Sequence, residues 1–248
     1  MHFELIDLSL AAALFAAAAL YASVGHGGAS GYLAMMGLFA ISPMVMRPSA
    51  LLMNVAVASL AIWRFAAREP FQWRLFIPFI VSSIPLAYVG GRITLPGHGY
   101  YWLIGAVLIY AAWRMWFDSR KSATTATLQP PPWPVALAVG AVLGLLSGLV
   151  GVGGGIFLSP LIVLFGWASV RASAAPVAAF ILVNSLAGLA GLVSQQPTLP
   201  AQLPLWLGSV VIGGWLGATW GSRHSSPHRL RQALALVLLV AGVKMLLK

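Results

Sequence analysis

The chain is a series of apolar segments separated by short polar stretches. Most segments are about 17–25 residues long, the length that a helix needs to cross a bilayer. Charged residues fall between the segments or near their ends. The pattern predicts an all-α integral membrane protein with helical segments at about 3–24, 32–41, 49–67, 75–91, 100–117, 135–150, a short segment ending at 165, 171–193, 203–221 and 230–247.

Composition supports the same fold class. Of the 248 residues, 60% are hydrophobic and 7% are charged, whereas a soluble domain carries about 25% charged residues. We assign the net charge of +10 to membrane topology rather than to nucleic-acid binding, because the basic residues cluster in a few loops. The chain has no cysteine, which excludes disulfides, thiolate metal sites and cysteine catalysis.

Two glycine clusters interrupt the apolar pattern. The motif Val-Gly-x-Gly-Gly occurs at 24–28 and again at 150–154, a shift of about 126 residues, or half the chain. A stripe of small residues at every fourth position, over 83–91, recurs over 213–221, and such stripes let helices approach closely in lipid. The two correspondences predict that the chain consists of two related repeats.

The basic residues predict that the second repeat is inverted relative to the first. We divide the chain into a first repeat, 1–117, a polar proline-rich linker, 118–134, and a second repeat, 135–248. With the linker inside the cell and five crossings per repeat, most arginines fall inside, and an odd number of crossings inverts the second repeat. The alternative is eight spans with both short segments re-entrant, which places the basic cluster at 223–231 outside.

Inverted repeats with interrupted helices are typical of secondary transporters. A helix that restarts after glycines presents free N–H groups and its positive dipole end, which suits an anion. The four acidic residues lie at predicted helix ends or in loops, whereas cation transporters normally carry acidic groups within the membrane. The alternative is that the glycines only permit close packing. We favour a substrate site that includes the glycines of both clusters, Gly25, Gly27, Gly28, Gly151, Gly153, Gly154 and Gly155.

Polar side chains near the clusters are further candidates. His26 lies within the first cluster and is the candidate for proton coupling, or it could bond a backbone carbonyl. Arg47 and Arg171 each open the long helix after a short segment, where they either form an anion vestibule or snorkel to the interface. Asn54 and Asn184 either line the path or bond between helices. Ser30 and Ser159 either donate to an oxyanion or bond back to their own helix. We expect no cofactor, metal site or catalytic group.

The second cluster resembles a family signature. Residues 144–160 read Gly-Leu-Leu-Ser-Gly-Leu-Val-Gly-Val-Gly-Gly-Gly-Ile-Phe-Leu-Ser-Pro. This stretch is similar to the signature of the sulfite exporter TauE/SafE family, also called the toluene sulfonate uptake permease family. The first cluster departs from it, with Gly-His-Gly-Gly-Ala-Ser at 25–30. The resemblance covers essentially the whole chain and implies a secondary transporter of sulfur-containing oxyanions or organosulfonates in the bacterial inner membrane.

We therefore predict a secondary transporter of small sulfur-containing anions, such as sulfite, sulfonate or thiosulfate, and not an enzyme. The expected mechanism is proton coupling through His26 with rocking of one repeat against the other. The expected partners are the anionic substrate and the lipid bilayer, without nucleic acid, and a homo-oligomer is left open. Two alternatives are a membrane scaffold that uses the glycines only for packing and a metal-ion permease that uses His26.

Overall fold

The computed structural model describes residues 5–23, 27–95, 97–117, 129–221 and 228–247. Within these ranges the chain forms helices and no strands. The helices are α1 Leu5–Ala22, α2 Ala29–Leu38, α3 Pro43–Ala66, α4 Trp73–Arg92, α5 Gly97–Phe117, α6 Trp133–Val150, α7 Gly155–Leu164, α8 Val170–Val193, α9 Leu203–Gly221 and α10 His228–Leu246. The all-α fold predicted from the hydrophobic pattern is confirmed.

The surface of the bundle suits lipid. In the described ranges α1, α3, α4, α6, α8 and α9 are long and apolar enough to cross a membrane. Large apolar side chains such as Val142, Ile212 and Leu236 are more than half exposed. Trp102 and Trp113, which suit membrane interfaces, are exposed too. A surface of this kind is stable in hydrocarbon and not in water, as expected of an integral membrane protein.

Several helices begin earlier than the sequence predicts, and the early starts of α3 and α6 change the description of the chain. α3 starts at Pro43 and not at about residue 49, because the extended Ser42 is its N-cap and a proline in the first turn needs no N–H partner. Pro48, expected to open this helix, lies inside it. α6 starts at Trp133, so the last residues of the predicted linker are helical, while residues 118–128 lie outside the described part.

Contacts between helix ends define two faces of the bundle. The N-terminal ends of α4 and α6 lie together, since Trp73 and Ile77 border the same cleft as Pro130 and Trp133. We call this side the linker face. The C-terminal ends of α4 and α8 lie together on the opposite side, where the Gln195 side-chain amide donates to the carbonyl of Arg92. We call that side the Gln195 face.

α6 and α7 form a hairpin that leaves and rejoins the linker face. From Gly140 to Gly148, every fourth residue of α6 faces a backbone carbonyl of α4 between Phe79 and Ala87. α6 therefore runs parallel to α4, away from the linker face. α7 returns, and beyond its end Trp167 packs against Phe79 with 5.7 Å between ring centroids.

α1 and α2 form the corresponding hairpin on the Gln195 face. Residues 15–23 of α1 run parallel to residues 213–221 of α9, which begins after the Gln195 loop. α2 ends where Lys244 Nζ donates to the carbonyl of Leu38 at 2.7 Å. That end of α10 packs on the start of α5, directly after the C-terminal end of α4. The two hairpins thus enter from opposite faces.

The two short helices each cover about half the membrane. α2 and α7 have 10 residues each, or about 15 Å, against a hydrocarbon thickness of about 30 Å. Each hairpin returns to the face from which it entered. The loops that follow α2 and α7 therefore lie on the sides that the five-crossing prediction gives them. Entry from opposite faces is what inverted repeats produce, while the number of crossings, the relatedness of the halves and the domain boundaries stay predictions.

The small-residue stripes lie at the closest helix contacts. The stripe of α9 from Gly213 to Gly221 faces carbonyls of α1, and Ser83 and Ala87 of α4 are approached by glycines of α6. A Cβ on these glycines of α6 and α9 would overlap a backbone carbonyl. The helices therefore approach to a distance that glycine alone permits.

Candidate functional site

The glycine clusters meet at the centre of the bundle, where α3 crosses α8. Asn54 and Ile181 are each the twelfth residue of a 24-residue helix. Gly27 and Gly153 both lie against these two side chains: a Cβ on either glycine would stand 2.8 Å from an Asn54 side-chain atom. Since that distance is too short for real atoms, both positions require glycine. We call this region the central site, and its members are Gly27, Gly28, Ser30, Asn54 and residues 153–155.

Glycine also supplies the backbone geometry of the turns. The φ angle is +90° at Gly28, +76° at Gly153 and +77° at Gly154, a region that only glycine adopts at little cost. Gly28 and Gly154 are the N-cap residues of α2 and α7. The left-handed turns therefore set the start of each short helix at the central site.

The N-termini of α2 and α7 converge on the central site. α2 runs from there to the Gln195 face, and α7 runs from there to the linker face. A helix N-terminus carries unpaired N–H groups and the positive end of the dipole. No side chain in the described part of the chain caps the first turn of either helix. Two uncapped N-termini that face each other form an electrostatic environment for an anion.

The carbonyl groups around the second glycine turn are, by contrast, bonded to side chains. Arg47 Nε donates to the carbonyl of Gly148 at 2.9 Å, Tyr100 Oη donates to that of Val150 at 3.1 Å, and Asn54 Nδ2 donates to that of Val152 at 3.2 Å. The negative groups of this turn are thus neutralised by donors from α3 and α5. The side of the turn that faces the central site is left with its N–H groups.

A small cavity lies at the central site, next to a hydrogen bond from Ser30 Oγ to Tyr21 Oη of 2.7 Å. Val152, Ile156 and Ile181 line its other side. Its accessible volume of about 10 Å³ holds about one water molecule. The site is therefore closed to a sulfur oxyanion in this conformation, and the hairpins must move apart to admit one.

Of the two predicted amides, Asn54 alone belongs to the central site. Asn184 is buried, but its Nδ2 donates to the carbonyl of Phe180, one turn earlier in α8, at 2.8 Å. Neighbouring residues on a helix point about 100° apart, and it is Ser185 whose Oγ lies 3.4 Å from Asn54 Nδ2. As a substrate ligand Asn184 stays a prediction that no contact with the site supports.

The helix boundaries give the register that the two predicted repeats would share. α2 and α7 start 126 positions apart and have equal lengths, as do α3 and α8 at 127. In this register Asn54 corresponds to Ile181, and Ser30 corresponds to Ile156. Ser159 lies three residues beyond Ile156 on α7 and does not line the cavity. The two predicted serines therefore occupy different environments.

The two arginines do not occupy matched positions, contrary to the expectation. Arg47 is the fifth residue of α3, whereas Arg171 is the second residue of α8 and is exposed. Arg47 is buried, and its guanidinium donates to C-terminal carbonyls of two helices, namely Gly90 at 2.5 Å, Ile93 at 3.0 Å and Gly148. Neither arginine lines a vestibule here, and Arg47 binds helix ends and does not snorkel. Their roles as substrate ligands stay predictions.

Three predicted members of the site remain, namely Gly151, Gly25 and His26. Gly151 is the C-cap of α6 with φ of +87° and packs on Arg47. Gly25 and His26 lie outside the described residues, so their roles stay predictions. In the ranges that the structure does describe, no three His, Asp or Glu side chains form a metal site.

Three tyrosines lie at the glycine turns and were not predicted from the sequence. Tyr21 and Tyr32 flank the first glycine turn, and Tyr100 reaches the second turn from α5. The signal that could have found the first two is the shift of 126, which pairs Tyr21 with Ser147 and Tyr32 with Leu158. Tyr100 is a contact between distant helices and leaves no local pattern.

The fold and the central site define a class of protein. A multi-pass helical bundle in which two interrupted segments enter from opposite faces and meet at mid-depth has the architecture of a membrane transporter. The chain belongs to the sulfite exporter TauE/SafE family, whose model matches residues 10–245.

A curated relative agrees with this assignment. The chain is 39% identical over 241 residues to the probable membrane transporter protein y4hK of Sinorhizobium fredii (strain NBRC 101917 / NGR234), an alignment that covers 96% of this chain and 98% of that protein. No solved structure matches significantly. The predicted family, the transporter class and the multi-pass location in the bacterial inner membrane are confirmed. Both descriptions are of transport, in agreement with the expectation that the chain is not an enzyme.

Proposed function

We propose that the protein is a secondary transporter of small sulfur-containing anions, such as sulfite, sulfonate or thiosulfate. One observation carries the proposal. The N-termini of α2 and α7 face each other at mid-depth without a side-chain cap from the described residues, while Arg47, Tyr100 and Asn54 occupy the carbonyls of the second turn. A site built to hold a cation would expose those carbonyls and cover the N–H groups.

The chemistry of the surrounding side chains supports the sign of the charge. The chain has four acidic residues, of which the structure describes two. Asp7 lies in the first turn of α1, and Glu69 lies in the loop after α3. No carboxylate of the described ranges therefore stands near the central site to repel an anion. The hydroxyls of Ser30 and Tyr21 share one hydrogen bond and leave one hydrogen for an acceptor, which suits an anion that must also be released.

Transport requires the closed site to open to each face in turn. α3 and α8 cross at the site, the hairpin of α1 and α2 packs on α3, and the hairpin of α6 and α7 packs on α8. The two hairpins belong to opposite faces. A rocking motion would separate the hairpins at one face while it closes them at the other. Because α4 packs on α6 and α1 packs on α9, each moving body would contain helices of both halves. Proton coupling through His26 is part of the proposal, because histidine is the side chain whose unperturbed pKa lies near neutral pH.

The test is anion uptake by purified protein in proteoliposomes. We expect wild type to accumulate ³⁵S-labelled sulfite, ethanesulfonate or thiosulfate, and Gly153→Ala to lose most of that uptake, because its Cβ would collide with Asn54 and Ile181 at a positive φ. The matched control is Gly166→Ala. Gly166 also has a positive φ, of +66°, but a Cβ there meets nothing within 4 Å, so it imposes backbone strain without touching the site.

Two results would contradict the proposal. Wild type that moves none of these anions, with or without a pH gradient, would favour the scaffold interpretation. Equal loss of uptake in Gly153→Ala and Gly166→Ala would mean that backbone strain, and not the central site, governs transport. His26→Asn should retain binding and lose the dependence of uptake on the pH gradient; unchanged dependence would remove His26 from the coupling step.

A further inference from the structure

The two sides of the central site differ in polarity. Three hydroxyl groups surround the first glycine turn, those of Tyr21, Ser30 and Tyr32. The positions that correspond on the α7 side at the shift of 126 are Ser147, Ile156 and Leu158. The cavity itself is bounded on that side by Val152, Ile156 and Ile181. A molecule in the site would thus meet hydroxyls on one side and branched aliphatic side chains on the other.

The hydroxyl side has donors to spare. Tyr32 is fully buried, and its Oη has no hydrogen-bond partner among the described residues. It lies against Gly28, the N-cap of α2, where a Cβ would stand 2.6 Å from it. Tyr21 and Ser30 share one hydrogen bond between two hydroxyls, which leaves one hydrogen over. Buried polar groups are normally paired, so unpaired hydroxyls beside an uncapped helix N-terminus indicate a ligand with acceptor atoms.

The aliphatic side of the cavity disfavours oxygen atoms. An oxyanion whose oxygens point in all directions would press some of them against Val152, Ile156 and Ile181, which offer no donor. Unpaired buried oxygens cost far more than a missing methylene, so a site of this kind discriminates strongly between isosteres that differ in polarity. A ligand with one apolar end loses nothing there.

We propose that Ser30 and Ile156, the corresponding residues of the two halves, fix the orientation of the substrate. The anionic oxygens face Tyr21 and Ser30, which line the cavity, and an apolar end faces Val152, Ile156 and Ile181. The site thereby selects a small amphipathic anion, such as a short-chain alkylsulfonate, over an anion with oxygens on every side, such as sulfate. This inference rests on the proposed function and assigns the residues that set its specificity.

The experiment measures uptake of ³⁵S-labelled ethanesulfonate and sulfate by the full-length protein in proteoliposomes. Wild type should prefer ethanesulfonate. Ile156→Thr adds to α7 the hydroxyl that α2 already has and keeps the branched shape, and it should shift the preference toward sulfate by about tenfold, the factor that one good hydrogen bond gives. Tyr21→Phe removes a hydroxyl without a change in ring size and should lower uptake of both anions.

The matched control is Ile162→Thr, the same substitution on the same helix. Ile162 is fully buried in the core and does not line the cavity, so the preference should stay as in wild type. An unchanged preference in Ile156→Thr, with Gly153→Ala still inactive, would overturn the orientation and leave the proposed function intact. Wild type that transports neither anion nor sulfite would overturn both.

A binding measurement on wild type alone guards against poor folding of the variants. We expect ethanesulfonate to raise the thermal unfolding temperature of the purified protein more than sulfate does at equal concentration and ionic strength. Equal shifts from the two anions would contradict the proposed selection, whatever the variants do.

Discussion

Replacement of Arg47 by methionine tests how the helix ends beside the central site are held. Methionine keeps an apolar side chain of similar length but cannot donate. The carbonyl of Gly148 would lose two charge-assisted hydrogen bonds and that of Gly90 would lose one, all of them buried. Since hydrogen bonds to charged groups contribute about 1.5–3 kcal/mol each and two carbonyls lose their charged partner, we expect the free energy of unfolding to fall by about 3–6 kcal/mol.

The assay is thermal unfolding of the purified variants in one detergent. Arg171→Met is the matched control, because Arg171 is exposed and its loss should leave the unfolding temperature unchanged. Arg47→Lys should lie between wild type and Arg47→Met, since an ammonium group cannot span the ends of α4 and α6 as a planar guanidinium does. If Arg47→Met unfolds at the wild-type temperature, the hydrogen bonds of Arg47 do not stabilise the fold and the reasoning is wrong.

Three further predictions follow from the packing and the topology. Gly144→Val should destabilise the protein severely, because a Cβ at that position overlaps a carbonyl of α4, whereas Gly208→Val, with open space around it, should unfold like wild type. Lys244→Met should remove the cap of α2 and speed amide hydrogen exchange at residues 36–41; unchanged exchange would contradict this. Because the chain has no cysteine, an impermeant maleimide should label Thr198→Cys in spheroplasts but Gln129→Cys only after permeabilisation, and the reverse result would invert the topology.

The sequence was informative where a residue type has one physical use. The glycine turns could be predicted because positive φ and close side-chain contact both exclude other residues, as at Gly153 and Gly154. Asn54 could be predicted because an amide in an apolar helix needs partners. The hydrophobic pattern predicted the long helices for the same reason, since lipid tolerates no other exposed backbone.

Register was the part that could not be predicted. Ser42-Pro43 reads as the end of the short segment and Arg47-Pro48 as the start of the long helix, which makes Arg47 and Arg171 appear equivalent. The structure starts α3 at Pro43, which puts Arg47 a full turn inside the helix and against distant carbonyls. Likewise, no local pattern could show that Ser185 rather than Asn184 faces the site, because a one-residue difference on a helix turns a side chain by about 100°.

The geometry of the two short helices also relates the charge of the substrate to proton coupling. Each helix N-terminus acts as about half a positive charge, so the convergence of α2 and α7 offers about one positive charge at the middle of the membrane, where an uncompensated charge is costly. A monovalent anion such as ethanesulfonate would be balanced by the helices alone. A divalent anion such as thiosulfate would require one further positive charge, which a proton on His26 would supply.

We therefore predict that uptake of thiosulfate by proteoliposomes rises as the external pH falls from 8 to 6, while uptake of ethanesulfonate changes little over the same interval. His26→Asn should abolish the pH dependence for thiosulfate and leave ethanesulfonate uptake near the wild-type rate. Equal pH dependence for the two anions would mean that the proton balances something other than substrate charge. Since both anions bind at the same glycine turns, Gly153→Ala should stop uptake of both. This result would support the site even if the predicted pH dependence were not observed.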